Sequence, residues 1–160
     1  MHSEGTYCRA QSMPDLITHT SVAYFFSKGS RIIKNSTLFY VGTILPDIFT
    51  RAFYILFPKT YFAVYPFHTP LGLLLVCLLF SFLFKEAQRK EVFLSLIAGC
   101  WLHLGLDLLQ KHLEPSYALL FPFSWRTFEM GVFLPEHIVM CAPLWVAAIC
   151  VNEFFTRKNR

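Results

Sequence analysis

The sequence predicts an all-α protein, an integral membrane bundle of about four to five helices. Three observations carry this. Hydrophobic residues make up 55 % of the 160 residues and charged ones only 15 %, against about 45–50 % and about 25 % in soluble domains. The mean hydropathy is +0.48. The apolar residues fall in long runs separated by short basic or aromatic connectors, with no strand alternation and no internal repeat.

The elements follow in order. Residues 1–12 form a polar tail, residues 13–156 a single helical membrane domain, and residues 157–160 a basic tail. No signal peptide is expected, because the first residues lack an apolar core followed by a small-residue cleavage site. A first helix is predicted over Pro14–Phe26, with Ser12 as cap and Pro14 and Asp15 in the first turn. Residues 28–35 are a basic connector. A second apolar stretch covers 37–57, and Pro46 within it should break or kink the helix and free backbone carbonyls. Residues 58–68 form an aromatic connector suited to a bilayer interface. A third helix over 69–84 is almost purely apolar. Residues 85–91 read as a charged turn. A fourth helix over 92–113 should end at Glu114, since the residue before Pro115 is driven out of helical geometry. Residues 115–131 form an aromatic loop, and a last helix covers 135–155.

Charge sets an orientation. With alternating crossings, Lys28, Arg31 and Lys34, then Lys85, Arg89 and Lys90, then Arg157, Lys158 and Arg160 share one side. The positive-inside rule makes that side cytoplasmic. Lys59, Lys111 and Arg126 fall on the other. The net charge of +4 is small and no basic face with spaced aromatics occurs, so no nucleic-acid partner is expected. Of the five cysteines, none forms a CxxC pair and four lie in apolar runs. There they act as small hydrophobes.

The chemistry lies in a few polar residues set among apolar ones. His103 and Asp107 are one helical turn apart in the run Val92–Leu109, so they share a helix face. An imidazole and a carboxylate are costly there without a partner. A divalent metal suits both, and zinc is the expected ion. A His–Asp hydrogen bond joining two helices is the plainer alternative. His19 in the first helix, Asp47 after Leu45-Pro46 and His68 at the start of the third helix repeat the pattern. Each has an ordinary reading too: a polar-face histidine, a helix cap and an interfacial residue. The charge-based topology brings His68, His103 and Asp107 to one depth on the outer side. His112 lies about 140° round the helix from Asp107. Glu136 and His137 open the last helix and can reach the same outer surface. Trp125 and Arg126 can contact a substrate anion, or form an interfacial loop with a snorkelling arginine. His2 reads as solvated.

The order Thr18-His-Thr20, Gly42-Thr-Ile-Leu-Pro-Asp47, His68-Thr69, His103-Leu-Gly-Leu-Asp107 and Leu119-Leu-Phe-Pro-Phe-Ser124 resembles the YdjM-like family. The likeness spans roughly residues 15–131. Its members are described as bacterial inner-membrane, metal-dependent hydrolases, some of them LexA-regulated. The resemblance implies that His19, Asp47, His68, His103 and Asp107 are the metal-site positions. Two positions depart from the pattern: Ala63 and Phe49 stand where members often carry a further His and a further Asp. The ligand types and the helical HxxxD also resemble those of zinc-dependent phospholipases C.

The expected function is therefore a multi-pass inner-membrane hydrolase using a divalent metal and acting on an ester or phosphoester of a lipid or amphiphile. Asp47, Asp107 and Arg126 are the expected catalytic residues. A structural metal clamp and a metal or proton transporter are the rival readings.

Overall fold

The computed structural model describes residues 12–30, 33–57, 61–111 and 118–158. Among the described residues, five long helices make up the fold: α1 (Ser12–Gly29), α2 (Ser36–Leu56), α3 (Pro70–Ser81), α4 (Glu86–Leu109) and α5 (Pro135–Lys158). A short helical turn, Tyr61–Val64, runs into a 3₁₀ turn, Tyr65–His68, between α2 and α3. Among the described residues the one extended pairing is an isolated bridge between Gln110 and Phe133.

Of the expected break or kink at Pro46, the break does not occur: α2 runs unbroken from Ser36 to Leu56. Proline removes the N–H that would bond the carbonyl four residues back, which is that of Gly42. The Cys100 thiol of α4 donates to this carbonyl at 3.2 Å. One turn further on, the Thr50 hydroxyl donates to the Pro46 carbonyl at 2.8 Å. The helix stays intact because a neighbouring helix supplies the missing donor.

α2 and α4 meet backbone to backbone at two glycines. A methyl group on Gly99 would lie 2.2 Å from the Phe39 carbonyl oxygen, and one on Gly42 would lie 2.2 Å from that of Leu96. Small residues at a crossing allow this approach where van der Waals contact holds helices together. Around it, Leu45, Leu73, Val76, Cys77, Val92, Leu96, Cys100 and Leu104 form the core. Buried Cys77 and Cys100 pack at 3.5 Å between their sulfurs, as small hydrophobes do.

Two helix bounds differ from the predicted ones. α4 begins at Glu86, so the predicted turn over 85–91 is mostly helix. Glu, Ala, Gln, Arg and Lys are strong helix formers and extend the helix past the apolar run. At the other end α4 stops at Leu109, before the predicted end. The loop 130–133 folds back on it. The Met130 amide donates to the Leu108 carbonyl at 2.8 Å, and those of Val132 and Phe133 to Leu109 at 2.8 and 3.0 Å. These bonds satisfy carbonyls that a helix end leaves open. The predicted end at Glu114–Pro115 and His112 lie outside the described residues, as do His2, Arg31, Lys59 and Arg160.

The helices alternate in direction. Lys28 and Tyr24 of α1 both reach Glu153 near the end of α5, the lysine at 3.1 Å. Asn35 and Leu38 at the start of α2 line one small cavity with Phe84, Gln88, Glu91 and Val92. One end of the molecule therefore gathers Lys28, Lys34, Lys85, Arg89, Lys90, Arg157 and Lys158. Among the described residues one helix, α4, is long and apolar enough to cross a membrane, and α3 is a shorter apolar helix.

Candidate metal centre

Each polar residue of the site is placed by a different piece of chain. α1 brings His19, α2 brings Asp47, the 3₁₀ turn brings His68, and successive turns of α4 bring His103 and Asp107. The seat of His68 is built locally. The Thr69 hydroxyl caps α3 by accepting from the Gly72 amide at 3.2 Å, and donates to the Pro66 carbonyl at 2.7 Å. Pro70 suits the first helical position. Gly72 leaves room for the turn, since a methyl there would lie 2.0 Å from the Pro66 oxygen.

The five residues converge. Asp107 is fully buried and three imidazoles surround it. His19 Nε2 lies 3.0 Å from its Oδ1, while His68 Nε2 and His103 Nε2 lie 2.9 and 3.1 Å from its Oδ2. Asp47 Oδ1 stands 3.7 Å from His103 Nε2. His19, Asp47 and His68 are also buried, Asp47 being the most open of the five at 7 % exposure. The His19 and His103 rings lie 4.4 Å apart.

This donor set fits a divalent cation. His19, His103 and Asp107 offer ligand atoms within 4.8 Å of one another, and so do Asp47, His68 and His103. His103 belongs to both groups, so they form one continuous site. Ligands at zinc distances of about 2.0–2.1 Å stand about 3.3 Å apart round a tetrahedral ion, close to the separations here. Two carboxylates with neutral imidazoles would balance one divalent charge. A purely structural His–Asp bond needs two partners, whereas five groups meet here.

All five predicted metal-site residues thus come together. Arg126 is not in this buried cluster. It is exposed on the loop after α4, where its amide donates to Ser124 Oγ at 3.2 Å. Trp125 and His137 are exposed as well, and the Glu136 side chain lies outside the described residues. The positions of the two departures face elsewhere: Ala63 is exposed and Phe49 packs against the apolar core. One site residue escaped the sequence reading. Buried Thr50 sits with its Oγ1 3.2 Å from His68 Nδ1. Its spacing one turn after Pro46 is the only hint in the sequence, and threonine in a helix is too common to flag.

Fold and site together define an all-helical protein with a buried His/Asp centre able to hold a metal ion. A family model described as YdjM inner membrane protein matches residues 15–160, and the chain belongs to that family. The family description assigns it to an inner membrane. No curated protein and no solved structure matches the chain.

Proposed function

We propose that this protein is a multi-pass inner-membrane hydrolase that uses a divalent metal, zinc in the first instance, to cleave an ester or phosphoester of a lipid or amphiphile. The observation that carries this reading is the convergence of three imidazole Nε2 atoms on one buried carboxylate, with a second carboxylate alongside. Closed structural zinc sites are dominated by cysteine, whereas His and carboxylate sets are typical of catalytic ones. A divalent ion would polarise a scissile oxygen and lower the pKa of water to about 7.

The chain's own residues divide the work. Asp107 is enclosed by three histidines, which leaves it a ligand. Asp47 makes the longest contact of the set and is the most open, so it is the group to take a proton from the attacking water. Arg126 lies exposed beside Phe123 and Trp125 on the loop that caps α4, suited to an anionic headgroup at a bilayer surface. Leu71, Leu74, Leu75, Leu78 and Leu79 of α3 are exposed, as lipid-facing residues are. The basic end would face the cytoplasm, and the site the opposite side.

Burial of all five ligands favours a second reading, a metal that only clamps α1, α2 and α4 together. Transport has less support, because the described core holds no buried carboxylate or imidazole beyond these five. One experiment separates hydrolase from clamp. Purified protein is stripped of metal by a chelator, its helicity followed by circular dichroism, and its cleavage of a phospholipid and a chromogenic phosphoester measured before and after zinc. The hydrolase stays helical when stripped and regains activity with zinc, and Asp107→Asn binds no ion. A stripped protein that unfolds, or cleavage by Asp107→Asn at the wild-type rate, refutes the proposal.

A further inference from the structure

We infer that Thr50 is a positioning residue: its hydroxyl holds His68 as the Nδ1–H tautomer and commits the Nε2 lone pair to a cation shared with Asp107. The inference rests on the metal reading above. It follows from hydrogen-bond bookkeeping along one chain of atoms.

The chain starts at the Pro46 carbonyl, which can only accept. Thr50 Oγ1 lies 2.8 Å from it and must point its one proton there. The oxygen's lone pairs are then what it offers to His68 Nδ1, 3.2 Å away. An acceptor facing Nδ1 requires Nδ1 to carry the proton. In a neutral imidazole the other nitrogen then bears a lone pair. That nitrogen, Nε2, lies 2.9 Å from Asp107 Oδ2, which is also an acceptor. With His68 neutral, two lone pairs would face each other at hydrogen-bond distance in a buried site, where the repulsion is poorly screened; an imidazolium would instead donate to Asp107, an outcome the spectrum below distinguishes. A cation between them turns the repulsion into attraction. Thr50 therefore does for His68 what outer hydrogen bonds do for metal-bound histidines, fixing tautomer and ring orientation. Both Thr50 and Asp47 ride on α2, so the helix that supplies a ligand also orients its neighbour.

The test uses the full chain in detergent or nanodiscs. Zinc-loaded wild type, labelled with ¹⁵N-histidine, is examined by long-range ¹H–¹⁵N correlation, with His68 assigned by substitution. Zinc affinity is measured by competition with a chromogenic chelator for wild type, Thr50→Ser and Thr50→Val. The expected result is a protonated Nδ1 and a metal-bound Nε2 at His68. Affinity should fall about 10–100-fold in Thr50→Val and stay close to wild type in Thr50→Ser, which keeps the hydroxyl. Zinc bound through His68 Nδ1, two protonated ring nitrogens, or a Thr50→Val affinity equal to wild type overturns the role of Thr50 while leaving the metal reading intact. Wild type that binds no zinc removes the metal reading and this inference with it. The spectrum of wild type needs no variant, so a misfolded Thr50→Val does not blunt the test.

Discussion

Replacing Gly99 by alanine alters none of the five candidate ligands, yet it should loosen the candidate metal site. The added methyl would lie 2.2 Å from the Phe39 carbonyl oxygen and 2.7 Å from the Thr43 amide nitrogen, both backbone atoms of α2. Neither can swing aside. Reaching ordinary contact requires α2 and α4 to part by about 1 Å, because packed interiors have little slack. Overpacking of this kind costs about 1–3 kcal/mol. Cys100 would withdraw from the Gly42 carbonyl, already 3.2 Å away, and a buried carbonyl left open costs about 1–3 kcal/mol. The gain in helix propensity returns about 1 kcal/mol, so the net loss is about 1–5 kcal/mol. The same movement would stretch the Asp47–His103 contact, now 3.7 Å, to nearly 5 Å, too far to share an ion whose ligands sit about 2 Å from it. Zinc affinity by chelator competition and thermal unfolding by circular dichroism should fall together in Gly99→Ala. Wild-type affinity with an unchanged melting temperature would refute the close crossing and its link to the site.

Three further outcomes are expected. Cys100→Val, which removes the donor to Gly42, should cost about 1–3 kcal/mol in unfolding measurements, and Cys100→Ser, which keeps a donor, should cost less. Arg126→Gln should leave metal content and melting temperature unchanged, within about 0.5 kcal/mol for an exposed site, and raise KM for anionic substrates only; a KM for anionic substrates equal to that of wild type would remove its headgroup role. Cysteine introduced at Arg89 or Lys158 should resist membrane-impermeant maleimide in intact cells, and labelling of either would reverse the orientation.

The site was legible because its members are misfits. An imidazole or carboxylate in an apolar run stands out without any knowledge of the fold, and His19, Asp47, His68, His103 and Asp107 all qualify. Their convergence was half legible: the i,i+4 pair follows from helix geometry, and the charge pattern sets the direction of each helix. Thr50 was invisible because a helical threonine bonded to its own backbone looks ordinary until its neighbour is known. Between the break and the kink expected at Pro46, the sequence could not exclude the break, for a related reason. Proline's effect is local and certain, whereas its remedy, the Cys100 thiol, comes from a distant helix. The start of α4 was missed because hydrophobicity ends at Val92 while helix propensity does not.

The ligands also impose an order on assembly. His103 and Asp107 are neighbours on one helix and shield each other from the moment it forms. His19 and Asp47 have no such companion on their own helices and emerge from the ribosome earlier. Until α4 arrives they lack the Asp107 and His103 contacts that the folded protein gives them. The last of the five ligands to be synthesised is the one all three histidines gather round. A chain stopped before residue 107 therefore lacks the carboxylate at the centre of the cluster, so, on the metal reading, tight capture of an ion would report that four separate segments have docked.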